Sequence, residues 1–335
     1  MKKYLMITVA MLLIFIVLLS ACSATGQYFF FGTFIDLQIE GNGASKTEKA
    51  VADELERLEK LFSPTILGSD IWRINQAAAE VAVSVSNDTM EALKVCKSVY
   101  EASGGAFDPT VYPLVKLWKF SGDTYTGLPL APPDILDIEA LKQYVGFNEM
   151  LTLDFDNNTV TKAFDAVQID FGGVAKGYAA KKAADIASGK KALLNLGGNI
   201  VCVGQSYSIG VANPRESDKP YFGSMTVEDG YSVSTSGDYE RYYEYEGTRY
   251  HHIINPETGY PNGINPSTNQ MNADRLISVT IISDAHIECD AVATAVLILG
   301  KIEGEKLLTE LNLKAILIDD NLNYSVVGGI TFNKK

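Results

Sequence analysis

The N-terminal segment decides which part of this chain can fold into a globular domain. Lysines at positions 2 and 3 precede an apolar run from Leu5 to Leu19, and two small residues then lead to Cys22. This order of charge, apolar core and small residues is typical of a secretory signal, and the run is short for a membrane span. We therefore expect the mature chain to begin after residue 21.

The end of this segment, Leu19-Ser20-Ala21-Cys22, resembles a bacterial lipobox. That resemblance implies a signal peptide over residues 1–21, a lipidated Cys22 with a short tether over residues 22–27, and a lipid anchor at the extracytoplasmic face of the cell membrane. Two or more lipid chains make such anchoring stable. An ordinary signal peptide or an uncleaved N-terminal anchor is the alternative.

The remaining part of the chain is large and acidic. It has 335 − 21 = 314 residues, enough for one large domain or two small ones. Removal of the two N-terminal lysines changes the formal charge from −13 to −15. Such a surface argues against nucleic acid as a partner, because phosphate backbones require basic patches. A phosphate-bearing ligand would need a local site with help from a cation.

The pattern of elements predicts an α+β fold. Tyr28–Glu40 and Val167–Phe171 are predicted strands, and helices are predicted at about 174–188 and at His286–Leu299. The chain has no internal repeat, and no shift in composition marks a linker. We therefore expect one compact catalytic unit over residues 28–335, with mixed, mainly antiparallel sheets and packed helices.

Three cysteines lie beyond Cys22. Cys96, Cys202 and Cys289 fit neither the spacing of a zinc site nor that of a paired redox motif. Each lies in an apolar stretch, so we expect buried small hydrophobic residues, with one disulfide among them as an alternative.

A strand–glycine–helix junction is the first segment that suggests chemistry. Asp170 lies near the end of a predicted strand, Gly172 and Gly173 follow, and Lys176 lies in the first turn of the next helix. Glycines allow a ligand to approach the backbone, and a helix N-terminus offers free N–H groups to an anion. Taken alone, the junction is equally explained by a tight turn.

A polar pair in an apolar helix is the second such segment. Asp290 and Thr294 are four residues apart, so their side chains lie on one face, one turn apart. A buried carboxylate needs a partner, and a hard cation such as Mg²⁺ accepts both oxygen types. The alternative is an acid that the helix dipole favours and a threonine bonded to its own helix.

Two of the three histidines of the chain form the third segment. His251 and His252 end a predicted strand just before the turn Asn255–Gly259. Histidine can accept a proton near neutral pH. Neighbours on a strand point to opposite faces, so only one of them can face a given pocket. Either could also be an ordinary surface histidine.

Together with four further motifs, these segments resemble the FAD:protein FMN transferase family, also called ApbE. The match follows the family's order along nearly the whole mature chain, and this implies an ApbE-like fold. The matching segments are Phe31-Gly32-Thr33, Gly105–Val111, Asp170–Tyr178, Asn195–Asn199, Thr235–Tyr239, Tyr250–Gly259 and Glu288–Leu299.

The resemblance assigns roles to particular residues. It implies that the side chains of Asp290 and Thr294 and the carbonyl of Gly173 bind Mg²⁺, with Mn²⁺ as an alternative. It implies that His252 is the catalytic base and that Lys176 takes part in catalysis by offsetting phosphate charge. The residues implied to contact FAD are Phe31, Thr65, Ala106, Phe107, Asp108, Asp170, Lys176 and Ile254.

Three positions depart from the family pattern. Phe31 replaces a methionine, which is also bulky and apolar. Thr65 stands where the family often has an aromatic residue, so stacking on the flavin or adenine is not expected there. Asn255 replaces an aspartate, which removes a charge beside the implied base.

The implied reaction is metal-dependent transfer of FMN from FAD to a Thr or Ser hydroxyl of an acceptor flavoprotein, with release of AMP. The acceptors of this family are typically membrane-associated electron-transfer proteins, which suits a lipid anchor. One alternative is a Mg²⁺-dependent FAD pyrophosphatase, in which water replaces the hydroxyl. The other is a non-enzymatic flavin-binding lipoprotein.

Overall fold

Antiparallel strands form a central sheet, and smaller sheets and helices cover it. A computed structural model describes residues 23–122, 125–128, 130–216, 218–272 and 275–335. The predicted signal peptide and the predicted lipidation site lie outside these residues. The strands are β1 (Ser23–Phe30), β2 (Thr33–Glu40), β3 (Val83–Ser84), β4 (Leu151–Asp154), β5 (Thr159–Lys162), β6 (Lys191–Leu196), β7 (Asn199–Val203), β8 (Tyr207–Ala212), β9 (Tyr221–Val227), β10 (Ser232–Gly237), β11 (Tyr242–Tyr245), β12 (Thr248–His251), β13 (Ile264–Asn265), β14 (Gln270–Met271), β15 (Leu276–Ser283), β16 (Lys314–Asp319), β17 (Tyr324–Val327) and β18 (Asn333–Lys334).

The central sheet has eight strands in the order β1-β2-β6-β7-β10-β15-β16-β17, and every neighbouring pair is antiparallel. Two three-stranded sheets, β18-β9-β8 and β3-β5-β4, and two hairpins, β11-β12 and β13-β14, complete the β-structure. The helices are α1 (Ala44–Phe62), α2 (Asp70–Gln76), α3 (Asn87–Ala102), α4 (Tyr112–Leu117), α5 (Ile135–Lys142), α6 (Phe147–Met150), α7 (Ala175–Ile186) and α8 (His286–Glu310).

Helices pack on one face of the central sheet, and β-structure packs on the other. On β2, Ile35, Leu37 and Ile39 are buried and alternate with exposed or half-buried residues, as a strand with one covered face requires. These residues share a core with α1, α7 and α8. β15 is buried along its whole length because α8 covers one face and the β8–β9 sheet packs on the other. The predicted α+β class with mainly antiparallel sheets is confirmed.

The predicted strand Tyr28–Glu40 is instead a hairpin. β1 and β2 pair directly, and Phe31 and Gly32 form the turn with φ of 53° and 70°. A turn with positive φ at both central residues matches the twist of the flanking strands. Phenylalanine is not typical of such turns, so the sequence does not indicate a turn here. Residues 23–27, which the sequence assigns to a tether, form the first part of β1.

The segment predicted as strand Val167–Phe171 pairs with no strand among the described residues, and side chains satisfy much of its backbone. Asn75 bonds both to the amide and to the carbonyl of Ile169, each at 2.8 Å. The buried ammonium of Lys162 donates to the carbonyl of Val167 at 2.9 Å. The strand assignment there is therefore wrong, because a period-two apolar pattern also fits an extended segment held by side chains.

Two predicted helices and the predicted state of the cysteines can be compared directly with the structure. α7 spans Ala175–Ile186, close to the prediction, and α8 begins at His286 as predicted but continues to Glu310 beyond a break at Gly300, whose φ is 75°. Cys96, Cys202 and Cys289 are free and buried, as predicted. None of the helices in the described ranges is both long and apolar enough to cross a membrane.

Candidate active site

The start of α7 lies against the start of α8, and a glycine makes this close approach possible. A methyl group at Gly177 would lie 2.7 Å from the carbonyl oxygen of Ile287 and 3.0 Å from Cβ of Asp290. The contact places Lys176 beside Asp290, with 3.5 Å between Nζ and Oδ1. The glycine–helix junction and the polar helix pair, two of the segments singled out in the sequence, therefore form one site.

Asp290 is a buried carboxylate, 3% exposed. Its Oδ2 accepts a hydrogen bond of 3.1 Å from the amide of Gly177. Its Oδ1 lies 3.5 Å from both Nζ of Lys176 and Oγ of Ser234. The Gly177 amide holds the carboxylate in place, but the 3.5 Å contacts are long and leave Oδ1 free to take a stronger partner.

Thr294 lies one turn along α8 from Asp290 and beside Gly173. Its hydroxyl lies 3.2 Å from Oγ of Ser236 and 3.4 Å from the carbonyl oxygen of Asp290. A methyl group at Gly173 would lie 3.4 Å from Oγ1 of Thr294. The structure thus brings together the three residues that the sequence assigns to a metal.

A carboxylate, a hydroxyl and a carbonyl are all hard oxygen donors, which fit Mg²⁺ or Mn²⁺. Within the described part of the chain, no group of three or more His, Cys, Asp or Glu side chains could hold a metal ion. A cation at Asp290 would therefore need oxygens from water or from a phosphate-bearing ligand, as is usual for Mg²⁺.

Asp170 adds a second carboxylate to the same site. Its Oδ1 accepts from the amide of Gly172 at 2.8 Å, which orders the glycine pair. Burial raises the pKa of Asp170, and the Gly172 amide, Arg241 and Lys176 partly offset that effect. Lys176 also donates to the carbonyl of Gly172 at 3.2 Å. The glycine turn, Asp170 and both cations are therefore neighbours.

The Ala106–Asp108 segment forms one wall of the site. A methyl group at Gly173 would lie 2.9 Å from the ring of Phe107, so this ring packs directly on the glycine turn. The carboxylate of Asp108 accepts from the amides of Thr110 at 2.8 Å and Phe147 at 3.1 Å. Burial raises the pKa of Asp108 to about 6. Its side chain orders the wall through these internal bonds.

Three other predicted FAD contacts lie on separate elements. Phe31 is half-buried in the β1–β2 turn, and its amide donates to the carboxylate of Glu59 on α1 at 2.7 Å. Thr65 is exposed in the loop after α1 and bonds to Ser63. Ile254 is buried in a separate aromatic core that includes Trp118.

The two adjacent histidines have different environments. His251 is 1% exposed; its Nε2 lies 2.7 Å from the carbonyl oxygen of Asn262, and its Nδ1 accepts from the amide of Ile253 at 3.4 Å. Burial lowers its pKa to about 4. Both ring nitrogens are engaged, so His251 holds the loop together and is not free to take a substrate proton.

His252 keeps one ring nitrogen available. Its Nδ1 lies 3.3 Å from the carbonyl oxygen of Arg241, a geometry that assigns the proton to Nδ1 and leaves Nε2 as an acceptor. Burial lowers the pKa of His252 well below 6.5, and Arg241, His251 and Lys176 act in the same direction. The ring is surrounded by protein yet keeps accessible surface, as in a cleft.

Several polar groups of the site carried no chemical signal in the sequence. Arg241 lies near both Asp170 and His252 and influences the pKa of each. Ser234 and Ser236 contact Asp290 and Thr294. Asn199 is buried behind Ser234, whose hydroxyl donates to its Oδ1 at 3.0 Å. Two matched motifs contain Asn199 and Ser236, but the motifs do not indicate a role for either side chain.

A cavity of about 900 Å³ lies at the opposite end of the central sheet, where β2 and β7 end. Glu40, Lys191, Val203 and His286 contribute to its lining, and none of the predicted site residues does so among the described ones. The convergence of a carboxylate, a lysine and an available imidazole is the stronger indication of chemistry, so we place the active site at Asp290.

Comparison with known proteins gives the same family as the motifs. The ApbE family profile matches residues 31–317. The chain is 33% identical over 255 residues to an FAD:protein FMN transferase of Klebsiella pneumoniae, covering 75% of this chain and 74% of that protein. It is 31% identical over 276 residues to an FAD:protein FMN transferase of Treponema pallidum, covering 76% and 72%.

Solved structures show the same architecture. The ApbE protein of Thermotoga maritima superposes with a TM-score of 0.79 at 28% identity, covering 91% of this chain and 96% of that chain. A flavin transferase ApbE from Vibrio cholerae superposes with a TM-score of 0.77 at 23% identity, covering 92% and 97%, which is a similarity of fold.

Proposed function

The chain belongs to the ApbE family, and we propose that this FAD:protein FMN transferase depends on a divalent cation, Mg²⁺ or Mn²⁺. It transfers FMN to a Thr or Ser hydroxyl of an acceptor flavoprotein and releases AMP. The observation that carries the proposal is one cluster in which Asp290, Thr294 and Gly173 meet Lys176. His252 lies close enough for Lys176 to lower its pKa.

The reaction exchanges the phosphoanhydride bond of FAD for a phosphoester bond to the acceptor. The acceptor oxygen forms a bond to the FMN-side phosphorus, and the bridging P–O bond breaks, so that its oxygen leaves on AMP. Attack on a doubly charged pyrophosphate is opposed by charge repulsion, which positive groups near the phosphates reduce. Lys176 provides such a charge, and Arg241 is a second cation at the same site.

The carboxylate of Asp290, the hydroxyl of Thr294 and the carbonyl of Gly173 would hold the cation. When bound, it would supply positive charge to the pyrophosphate oxygens. Lys176 is already 3.5 Å from Asp290, so it can bridge between the carboxylate and a phosphate. The close contact between α7 and α8 at Gly177 fixes these groups relative to one another.

His252 takes the proton of the attacking hydroxyl. Its lowered pKa keeps the ring neutral at pH 7, and the bond from Nδ1 to the carbonyl of Arg241 leaves Nε2 as the base. His251 cannot replace it because both of its nitrogens are bonded within the loop. These observations support the assignment of His252 rather than His251.

The location of the enzyme is also part of the proposal. We infer that Cys22 carries lipid and holds the domain at the extracytoplasmic membrane face, where the acceptor belongs to a membrane-associated electron-transfer system. The sequence around Cys22 supports this inference.

Intact mass spectrometry tests the proposed function. The purified protein is incubated with FAD, Mg²⁺ and an acceptor flavoprotein domain, with Asp290→Asn protein as the matched control. The expected result is a gain of one FMN on the acceptor that disappears in the control and after chelation with EDTA. An unmodified acceptor with free FMN and AMP would identify a pyrophosphatase instead. Intact FAD throughout would favour a flavin-binding protein.

A further inference from the structure

An exposed aromatic pair lies at the tip of the β1–β2 hairpin. Phe29 and Phe34 face each other across the two strands, with ring centroids 5.3 Å apart and an edge-to-face angle of 73°. They are 61% and 75% exposed. Large aromatic side chains left in water next to each other are unfavourable unless a partner covers them.

The pair lies on the face of the hairpin that the rest of the domain leaves open. The inward residues of β2, such as Ile35 and Leu37, share a core with α1. The core between the central sheet and the β8–β9 sheet contains no residue of β1 or β2 among the described residues. Phe29 and Phe34 therefore point away from α1, on a surface that neither the helices nor the β8–β9 sheet covers.

The position of the hairpin in the chain indicates what covers it. The sequence ahead of β1 is 22 residues long, contains the apolar run Leu5–Leu19 and ends at Cys22, directly before the first residue of the strand. A strand rises about 3.4 Å per residue, so Phe29 lies about 20 Å from Ser23 along the same ribbon. A membrane attachment at Cys22 therefore keeps Phe29 within reach of the bilayer.

We propose that the open face of the β1–β2 hairpin lies on the membrane surface, with Phe29 and Phe34 inserted at the lipid–water interface. This proposal rests on the lipid anchor in the proposed function. An anchor at one point leaves the domain free to tilt, and a second contact about 20 Å away fixes its orientation. Aromatic rings are favoured at membrane interfaces.

The arrangement has a consequence for substrate choice. Phe31 and Gly32 form the turn between the two strands, and Phe31 is a predicted FAD contact. Insertion of the aromatic pair would hold this turn at the bilayer surface. The enzyme would then favour acceptor segments that lie close to the membrane over segments that project far from it.

Tryptophan fluorescence in vesicles tests the proposal. Full-length lipidated protein carrying Phe34→Trp is reconstituted in phosphatidylcholine vesicles, with and without lipid brominated on its acyl chains. Tyr324→Trp is the matched control, because Tyr324 lies on β17, the opposite edge of the central sheet, six strand spacings or about 29 Å from β2. The wild-type signal from Trp72 and Trp118 is subtracted.

We expect bromine to quench the Phe34→Trp signal at least about two-fold more than the Tyr324→Trp signal. Equal quenching at both positions, or none at either, would overturn the proposal. A Phe34→Trp signal that changes on addition of a soluble acceptor, but not on addition of lipid, would also overturn the proposal. It would show that this face binds a protein.

Fluorescence quenching requires no turnover, so its result is independent of whether the chain transfers FMN. A double variant, Phe29→Ser with Phe34→Ser, retains the anchor at Cys22 and is expected to modify a soluble acceptor in detergent at the wild-type rate. A Cys22→Ala protein tests the anchor separately. If it stays in the membrane fraction with no lipid missing from its mass, the anchor and the inference that rests on it are both refuted.

Discussion

His252 is the residue whose protonation state acts most directly on the proposed transfer. Its pKa is well below 6.5, so the ring loses the ability to accept a proton only in acid. We expect His252→Gln to lower kcat by about 10²–10⁴, the usual contribution of a general base. The acid limb of kcat/KM against pH should lie below 6.5 and should vanish in the variant. An unchanged rate would exclude His252 as the base.

Ser236 is predicted to position Thr294 for metal binding. The two hydroxyls are 3.2 Å apart, and removal of the Ser236 hydroxyl leaves the threonine free to rotate. Groups that orient metal ligands typically contribute about 10–100-fold in affinity. We expect Ser236→Ala to weaken Mn²⁺ binding by about ten-fold, measured by electron paramagnetic resonance without substrate.

Thr235→Ala is the control for this experiment. Thr235 is the preceding residue of β10, so its side chain lies on the opposite face of the strand, where it contacts Thr280. Its removal should leave Mn²⁺ affinity unchanged. Equal losses in the two variants would mean that β10 as a whole, and not the Ser236 hydroxyl, determines the affinity.

The crossing of α7 and α8 is the element-level feature on which the site depends. Gly177→Ala places a methyl group 2.7 Å from the carbonyl oxygen of Ile287. Alanine favours a helix by up to about 1 kcal/mol over glycine, but overpacking against rigid backbone costs about 1–3 kcal/mol. We expect a net loss of about 1 kcal/mol in urea unfolding, together with weaker Mn²⁺ binding.

Gly122→Ala separates this packing effect from a general effect of glycine replacement. A methyl group at Gly122 meets no atom of the described residues within 4 Å. Its unfolding free energy should stay within about 0.5 kcal/mol of the wild type, as for most surface changes. If Gly177→Ala is as stable as Gly122→Ala, the helices can separate and the close approach does not set the site geometry.

Local sequence pattern predicts some of these elements well and others poorly. α7 and the start of α8 follow from helical periodicity and a glycine junction, which are properties of neighbouring residues. The hairpin turn at Phe31 does not follow, because its positive φ is maintained by Glu59 on α1, 28 residues away. The extended segment near Ile169 depends in the same way on Asn75, 94 residues away.

At the scale of the whole molecule, the site joins groups that are far apart in the chain. Gly177 and Asp290 are 113 residues apart and form a hydrogen bond. Motif resemblance found both because each lies in a distinctive segment. Arg241 and Ser234 lie in segments without a distinctive pattern. They reach the site only because β10 and the loop after it pack beside Asp170 and Asp290. The choice between His251 and His252 likewise required the position of Asn262.

All three histidines of the chain have lowered pKa values, mainly because of burial. In the unfolded chain their pKa values return to about 6.5. Below that pH the unfolded state binds more protons than the folded state, so stability falls as pH falls. This contribution is fully present above pH 6.5 and, for His251, is lost progressively as pH falls toward about 4. The pKa of Asp108 is instead raised to about 6. Its effect on stability has the opposite sign, so it reduces the net loss of stability as pH falls.

Long-range ¹H–¹⁵N spectra of the three imidazoles test this prediction. We expect all midpoints below 6.5 in the folded protein and near 6.5 in concentrated urea. His251, 1% exposed, should contribute about 1.2 kcal/mol of lost stability between pH 6 and 5, because the unfolded imidazole takes up a proton over this range and the folded one does not. His251→Gln should therefore show a shallower fall in unfolding free energy over this range. A His251 midpoint at or above 6.5 would mean that burial and the bond to Asn262 do not keep the ring neutral in the folded protein.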